Sequence, residues 1–151
     1  MASGSRDKLI KLWNLSNRSL VATLSGHSGL ILSLLTYKND GKVYLVSGSL
    51  DKTIKIWDID NNAALITTLK AHWNSTDAVL CMKTFMLDGI PHLVSGDLIG
   101  RIKIWNLSTH TLMKTLKTLD VSYNRILSLA VTNQNNKIII ACGFGGFYGG
   151  A

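Results

Sequence analysis

Acidic residues, prolines and cysteines are all scarce in this chain. Its 151 residues hold one proline, two cysteines and nine Asp or Glu against sixteen Lys or Arg. The two cysteines, Cys81 and Cys142, form no CxxC pair and no disulfide-like pattern. Both fall within strand patterns and read as small core residues. No apolar run reaches membrane-spanning length, and the N-terminal MASGSRDK holds no apolar signal segment. The expectation is an intracellular, cytoplasmic protein, with nuclear placement left open. There is no phosphate-cradling glycine loop followed by Lys-Ser/Thr, and no HExxH. His27, His72, His92 and His110 fall at different positions with no metal-ligand spacing. His92, beside Pro91, and His110, in a turn, are expected to be exposed. No catalytic constellation stands out, so no enzyme, metal or cofactor is expected.

What the chain does have is hydrophobic content of 46% with 17% charged residues, which is a folded composition. The single proline and the many β-branched residues fit an all-β chain. The net charge of +7 admits nucleic acid, acidic protein or anionic lipid as partner. Lys11, Lys55, Lys103 and Lys52 recur with the pattern described next, and this charge is read as a solvated face.

The chain is organised around Leu45 to Asp58, LVSGSLDKTIKIWD. It returns upstream as ASGSRDKLIKLWN, Ala2 to Asn14, and downstream as LVSGDLIGRIKIWN, Leu93 to Asn106. Trp13, Trp57 and Trp105 stand 44 and 48 residues apart (57 − 13 and 105 − 57). A period of that size marks a repeat architecture. In TIKIW, Ile54 and Ile56 share one strand face, and Lys55 and Trp57 the other. Gly and Asp in the preceding VSGSLDK suit a tight turn. Before each copy comes a Thr-Leu stretch at Thr23, Thr68 and Thr115. An apolar run then starts at Ile31, Val79 and Ile126, and a turn follows at Asn39-Asp40-Gly41, Leu87-Asp88-Gly89 and Asn135-Asn136. Each period therefore holds four short strands, about twelve in all.

Gly26-His27, Ser47-Gly48-Ser49, Asp51 and Trp57-Asp58 resemble the GH…WD signature of the WD40 family, with four strands per propeller blade. The resemblance covers the chain to about Gly143. It implies all-β, four-stranded antiparallel blades, about three of them, in an open or partial propeller. Residues 1–143 form the repeat region, with tryptophan strands at 9–14, 53–58 and 101–106. Residues 144–151, rich in glycine and aromatics, are expected to be a mobile tail.

The resemblance also implies a buried hydrogen-bond network running from Trp57 to Ser47, His27 and Asp51. Ser3, Asp7 and Trp13 match it in the first copy, and His72, Ser95 and Trp105 in the third. There Ile99 stands where Asp51 stood, and Asp97 is a candidate substitute. In the last copy Leu119, Cys142 and Gly146 replace the network residues. A Ser-His-Asp trio also suggests a hydrolase triad, but its recurrence within a repeat favours a structural role.

A non-enzymatic scaffold for protein–protein interaction is what the family implies. Its partners dock on the face holding the loop after Gly-His and the turn before the tryptophan strand. Here those segments carry Arg6, Leu50, Lys52, Trp73, Asn74, Leu98, Arg101, Tyr123 and Arg125. Trp73 ranks first, as a tryptophan in a polar loop. The alternative is a basic surface for nucleic acid or anionic lipid, through Lys52, Arg101, Tyr123 and Arg125. Propellers close with about four to eight blades, so three would leave apolar faces uncovered. The expectation is a fragment of a larger propeller. Self-association of two copies, or pairing with another propeller half, are the other two resolutions.

Overall fold

The computed structural model describes residues 1–71, 78–117, 125–134 and 137–145. The described residues form thirteen strands and no helix. β1 (Ala2–Gly4), β2 (Ile10–Asn14) and β3 (Ser19–Leu24) make a three-stranded sheet. β4 (Ile31–Asn39), β5 (Lys42–Ser49), β6 (Thr53–Asp58) and β7 (Ala64–Lys70) make a four-stranded one. β8 (Val79–Leu87), β9 (Ile90–Asp97), β10 (Arg101–Asn106) and β11 (Thr111–Lys117) make another. β12 (Arg125–Gln134) and β13 (Lys137–Gly145) form a pair. Every pairing is antiparallel and joins neighbours in sequence. Among the described residues the row is thus two four-stranded blades between a three-stranded sheet and a two-stranded one. β13 runs through Gly145, paired with Arg125, so Phe144 and Gly145, assigned to the tail from sequence, stand in a strand. Residues 146–151 lie outside the described residues.

Turn chemistry sets the registers. Asp40-Gly41 and Asp88-Gly89 have positive φ at both residues, the type I′ geometry that matches strand twist. The turn before each tryptophan strand has a left-handed residue five positions before the tryptophan: Lys8 (φ 70°), Lys52 (φ 70°) and Gly100 (φ 79°). The turn after it has another, five positions past it: Arg18 (φ 60°), Asn62 (φ 50°) and His110 (φ 58°). Asn14, Asp58 and Asn106 start those latter turns. Their Oδ1 atoms accept from the N–H of Ser16, of Asp60 and Asn61, and of Ser108 and Thr109. The residue after the tryptophan is therefore an Asx turn former, a role Asn fills as well as Asp.

The core lies in the seams between blades, in three clusters. Ile10, Leu12, Leu24, Ile31, Leu45 and Trp57 fill the first seam. Tyr37, Val46, Val79, Leu93, Trp105 and Leu107 fill the second. Cys81, Val94, Ile102, Ile126 and Leu129 fill the third. One device recurs in all three. A Cβ placed on Gly4 would lie 2.7 Å from Ile31 Cβ, one on Gly48 would lie 2.6 Å from Val79 Cγ1, and one on Gly96 would lie 2.7 Å from Ile126 Cγ2. Each of these three blades thus offers a glycine notch, and the next blade's inner strand carries, at its first or second residue, the β-branched side chain that fills it.

Being covered on both faces changes several expectations. Lys55 and Lys103 are buried, not solvated. Their ammonium groups donate to Thr68 Oγ1 (2.8 Å) and to the Ala71 carbonyl. His92 is 3% exposed, where an exposed side chain was expected. It stacks on Phe85 (centroids 5.2 Å apart) and donates from Nδ1 to the Ile90 carbonyl. Tyr37 and Tyr44 make the same cross-strand stack one blade earlier (5.0 Å). Burial pushes the Tyr37 hydroxyl up to about 12.

Candidate interaction rim

The repeated sequence fixes one end of the row of blades by hydrogen bonding. In the second blade the Trp57 indole donates to Ser47 Oγ (3.0 Å) and Ser47 Oγ lies 2.8 Å from His27 Nε2. His27 Nδ1 lies 2.7 Å from Asp51 Oδ2. The indole can only donate and the carboxylate can only accept, so the chain of bonds has one direction. Ser47 donates to Nε2, and Nδ1 carries the proton given to Asp51.

The Asp51 carboxylate accepts three further bonds, from Ser28 N–H (2.9 Å), Thr53 N–H (2.9 Å) and the Thr53 hydroxyl (2.6 Å). Burial alone would raise its pKa. The bonds from His27, Thr53 and Ser28 outweigh that and hold the carboxyl well below the usual carboxylate range. The trio is not a hydrolase triad. Ser47 is 0% exposed, and its oxygen already accepts the indole proton.

What this network holds is the rim. Asp51 ties the loop at 25–30 to the turn at 50–52, reinforced by Leu50 N–H to the Leu30 carbonyl (2.9 Å). Ile31 N–H reaches back to the Ser5 carbonyl (3.2 Å), which ties the second blade to the first, and Ala71 N–H to the Lys52 carbonyl (3.1 Å) extends the β6–β7 ladder of the second blade. In the first blade Trp13 Nε1 donates to Ser3 Oγ (2.9 Å). Asp7 serves only its own turn there, accepting from Ser5 Oγ and Leu9 N–H. Those two bonds, the Ser5 hydroxyl foremost, lower its pKa.

In the third blade Trp105 donates to Ser95 Oγ (3.0 Å). Asp97 stands at the position of Ser49, fully buried, and its Oδ1 accepts from Ile99 N–H (3.0 Å) and Arg101 N–H (2.7 Å). Ser49 Oγ accepts only the first such bond in the second blade (Asp51 N–H, 3.1 Å), and Asp51 the second. One carboxylate in the third blade thus holds a turn that takes two residues in the second. Its expected reach to His72 falls outside the described residues, as His72 itself does.

Among the candidate partner residues, Arg6 and Leu50 are exposed, and Leu50 is 46% exposed in the most tightly bonded turn of the rim. Lys52, Leu98, Arg101 and Arg125 are half-buried. Arg101 Nε lies 3.9 Å from Asp97 Oδ2, so this guanidinium leans on its own turn. Trp73, Asn74 and Tyr123 lie outside the described residues. Of the cysteines, Cys81 donates from Sγ to the Ile126 carbonyl (3.2 Å), and burial pushes its thiol up to about 11. No group of three or more His, Cys, Asp or Glu among the described residues could hold a metal ion.

Residues 18–58 match the family model described as WD domain, G-beta repeat (WD40). The matched segment begins at the outer strand of the first blade, β3, and ends with the tryptophan strand of the second, β6, so the sequence unit straddles two blades. No curated protein matches the chain. Residues 18–58 match a WD40 repeat, and the sheets on either side of it, laid out on the same plan, are consistent with an incomplete set of such repeats.

Proposed function

We propose that this chain is a non-enzymatic protein-interaction scaffold, part of a larger propeller, that receives a protein partner on the rim built by the turns at 5–9, 50–52 and 98–100 and the loop at 25–30. WD40 repeats generally mediate protein interactions, and the match at residues 18–58 supports that much. One observation carries the finer reading. Leu50, a large apolar side chain, stands exposed on the turn held by the Asp51 bonds, and Arg6 stands exposed on the turn held by Asp7 and joined to the second blade through the Ser5 carbonyl. A rigid apolar and cationic surface binds with little ordering cost and has the composition of binding hot spots. The reading places the chain inside the cell, where Cys81 and Cys142 remain thiols.

The test pairs two variants in a cross-linking capture from cells. Arg6→Glu with Leu50→Glu alters the rim, and Met86→Glu alters an exposed site at the opposite end. The rim variant is expected to lose proteins that both the parent chain and Met86→Glu retain. Equal capture by all three chains overturns the proposal. The nucleic-acid or anionic-lipid alternative has less charge to use than the composition suggests, since Lys55 and Lys103 are buried. It predicts binding that falls steeply with salt.

A further inference from the structure

Each outer strand carries two adjacent apolar residues near its start: Leu20-Val21 in β3, Leu65-Ile66 in β7 and Leu112-Met113 in β11. All six side chains are exposed. In a regular strand, alternation would turn one member of each pair inward. Here the register shifts by one residue at the same place in all three blades. Leu20, Leu65 and Leu112 stand opposite Trp13, Trp57 and Trp105, and Val21, Ile66 and Met113 are the extra residues with no partner across the strand. A bulge re-aims side chains, and three copies of this one keep both members of each pair in solvent.

The ends of the row are not the cause. β7 lies in the blade flanked by the first and second seams, and there Leu65 and Ile66 are still 45% and 44% exposed. The position of the pairs is also fixed. β6 leaves the rim turn at 50–52 and ends at the turn 59–63, which leads into β7. The apolar pair follows that turn, as its counterparts follow the turns at 15–18 and 107–110. All three pairs therefore stand at the end of the row away from the rim. The glycine notches repeat one joint from blade to blade, which sets the three corners along the same end.

Charge identifies the occupant. The three outer strands hold no Asp or Glu, but they hold exposed Lys70, Lys114 and Lys117. The turns before them add exposed Arg18 and one acid, Asp60, whose Oδ2 already accepts the Val43 N–H (2.7 Å). Exposed apolar groups among cations mark a surface for anionic lipid. An acidic protein would meet the same charges, but it would have to match three corners on three blades at once. A bilayer takes apolar side chains wherever they stand along it.

We infer that the outer corners of the blades, at the end away from the rim, dock the chain on an anionic lipid bilayer. The three apolar pairs enter the boundary between headgroups and acyl chains, and Arg18 and Lys114, the cations nearest them in sequence, meet the headgroups. The residues weighed above for a basic surface take no part. The rim then faces away from the bilayer and stays open to a protein.

The test is co-sedimentation of the full chain with vesicles of phosphatidylcholine alone and of equal parts phosphatidylcholine and phosphatidylserine. Binding to the mixed vesicles is expected, weakening with salt, with little binding to phosphatidylcholine alone. Leu65→Thr with Ile66→Thr keeps strand-forming residues on the edge and should weaken binding about tenfold. Arg18→Asn with Lys114→Gln, which puts Asn at a left-handed position that suits it, should weaken it at least about fivefold. Neither pair should move the melting temperature. Leu50→Ser, at the rim, should bind as the parent does. Three results would overturn the inference: no sedimentation with either vesicle, loss with Leu50→Ser equal to that of the corner variants, or binding that survives the threonine pair and is matched by a random-sequence DNA duplex, the mark of a general polyanion surface.

Discussion

At the residue scale, the glycine notches and the network serine are the most sensitive positions. Gly48→Ala and Gly96→Ala each place a methyl group within 3 Å of the next blade's Val79 or Ile126. Overpacking of that kind costs about 1–3 kcal/mol, and a thermal melt reads it. Gly143→Ala should cost less, because its Cβ would meet only the rotatable Ser128 side chain. Replacing the serines by alanine should grade with burial. Ser47→Ala takes the side-chain partner from the buried Trp57 indole N–H and from His27 Nε2 and should cost about 1–3 kcal/mol. Ser3→Ala, at an exposed position, should cost little. The network has an acid limit. The folded pKa of Asp51 lies below its unfolded value of about 3.9, so its contribution is present above that pH and drains away as pH falls below about 4. Asp51→Asn should be less stable at neutral pH, with a flatter acid limb in a pH series of melts. His27, Ser47, Asp51 and Trp57 were legible because one repeat carries all four. The left-handed positions flanking each tryptophan were not, because Lys, Arg, Asn and His occupy five of the six. Local torsion there is imposed by strand pairing on either side.

At the element scale, the third blade's turn depends on a single carboxylate. Asp97→Ala strips the acceptor from both Ile99 and Arg101 N–H groups. It should destabilise the chain by about 2 kcal/mol or more, against a smaller loss for Ser49→Ala, which frees one N–H. Hydrogen exchange at Ile99 and Arg101 gives the local readout. The strands themselves were largely legible: the tryptophan strands expected at 53–58 and 101–106 run Thr53–Asp58 and Arg101–Asn106, and the one expected from residue 9 begins at Ile10. The lysines were misread. Alternation in TIKIW marks two faces, but it does not say that both are covered, and a strand between two neighbouring blades has no solvent face. His92 was misread for the same reason. Its proline neighbour suggested a turn, while its register opposite Phe85 places it in a seam.

At the scale of the whole molecule, stability concentrates in the middle of the row. β5, β6, β9 and β10 are paired on both edges and flanked by clusters on both faces. Their amides should exchange most slowly, and those of β3 and β13, at sheet edges among the described residues, fastest among the strands. Mass-resolved exchange of the intact chain checks that order. Four strands to a blade were legible from the spacing of the turns, and β4–β7 and β8–β11 are such sheets.

The notch between blades has a modular consequence. Gly48 receives Val79 and Gly96 receives Ile126 by the same shape, so the joint carries no address: it accepts a β-branched residue without distinguishing which blade brings it. Excising residues 49–96, which is 48 residues and equals the Trp57-to-Trp105 spacing (105 − 57), would join Gly48 to Asp97 and offer the Gly48 notch to Ile126. The shortened chain should still melt cooperatively. Such joints let a chain of this kind gain or lose a module without redesign of its neighbours.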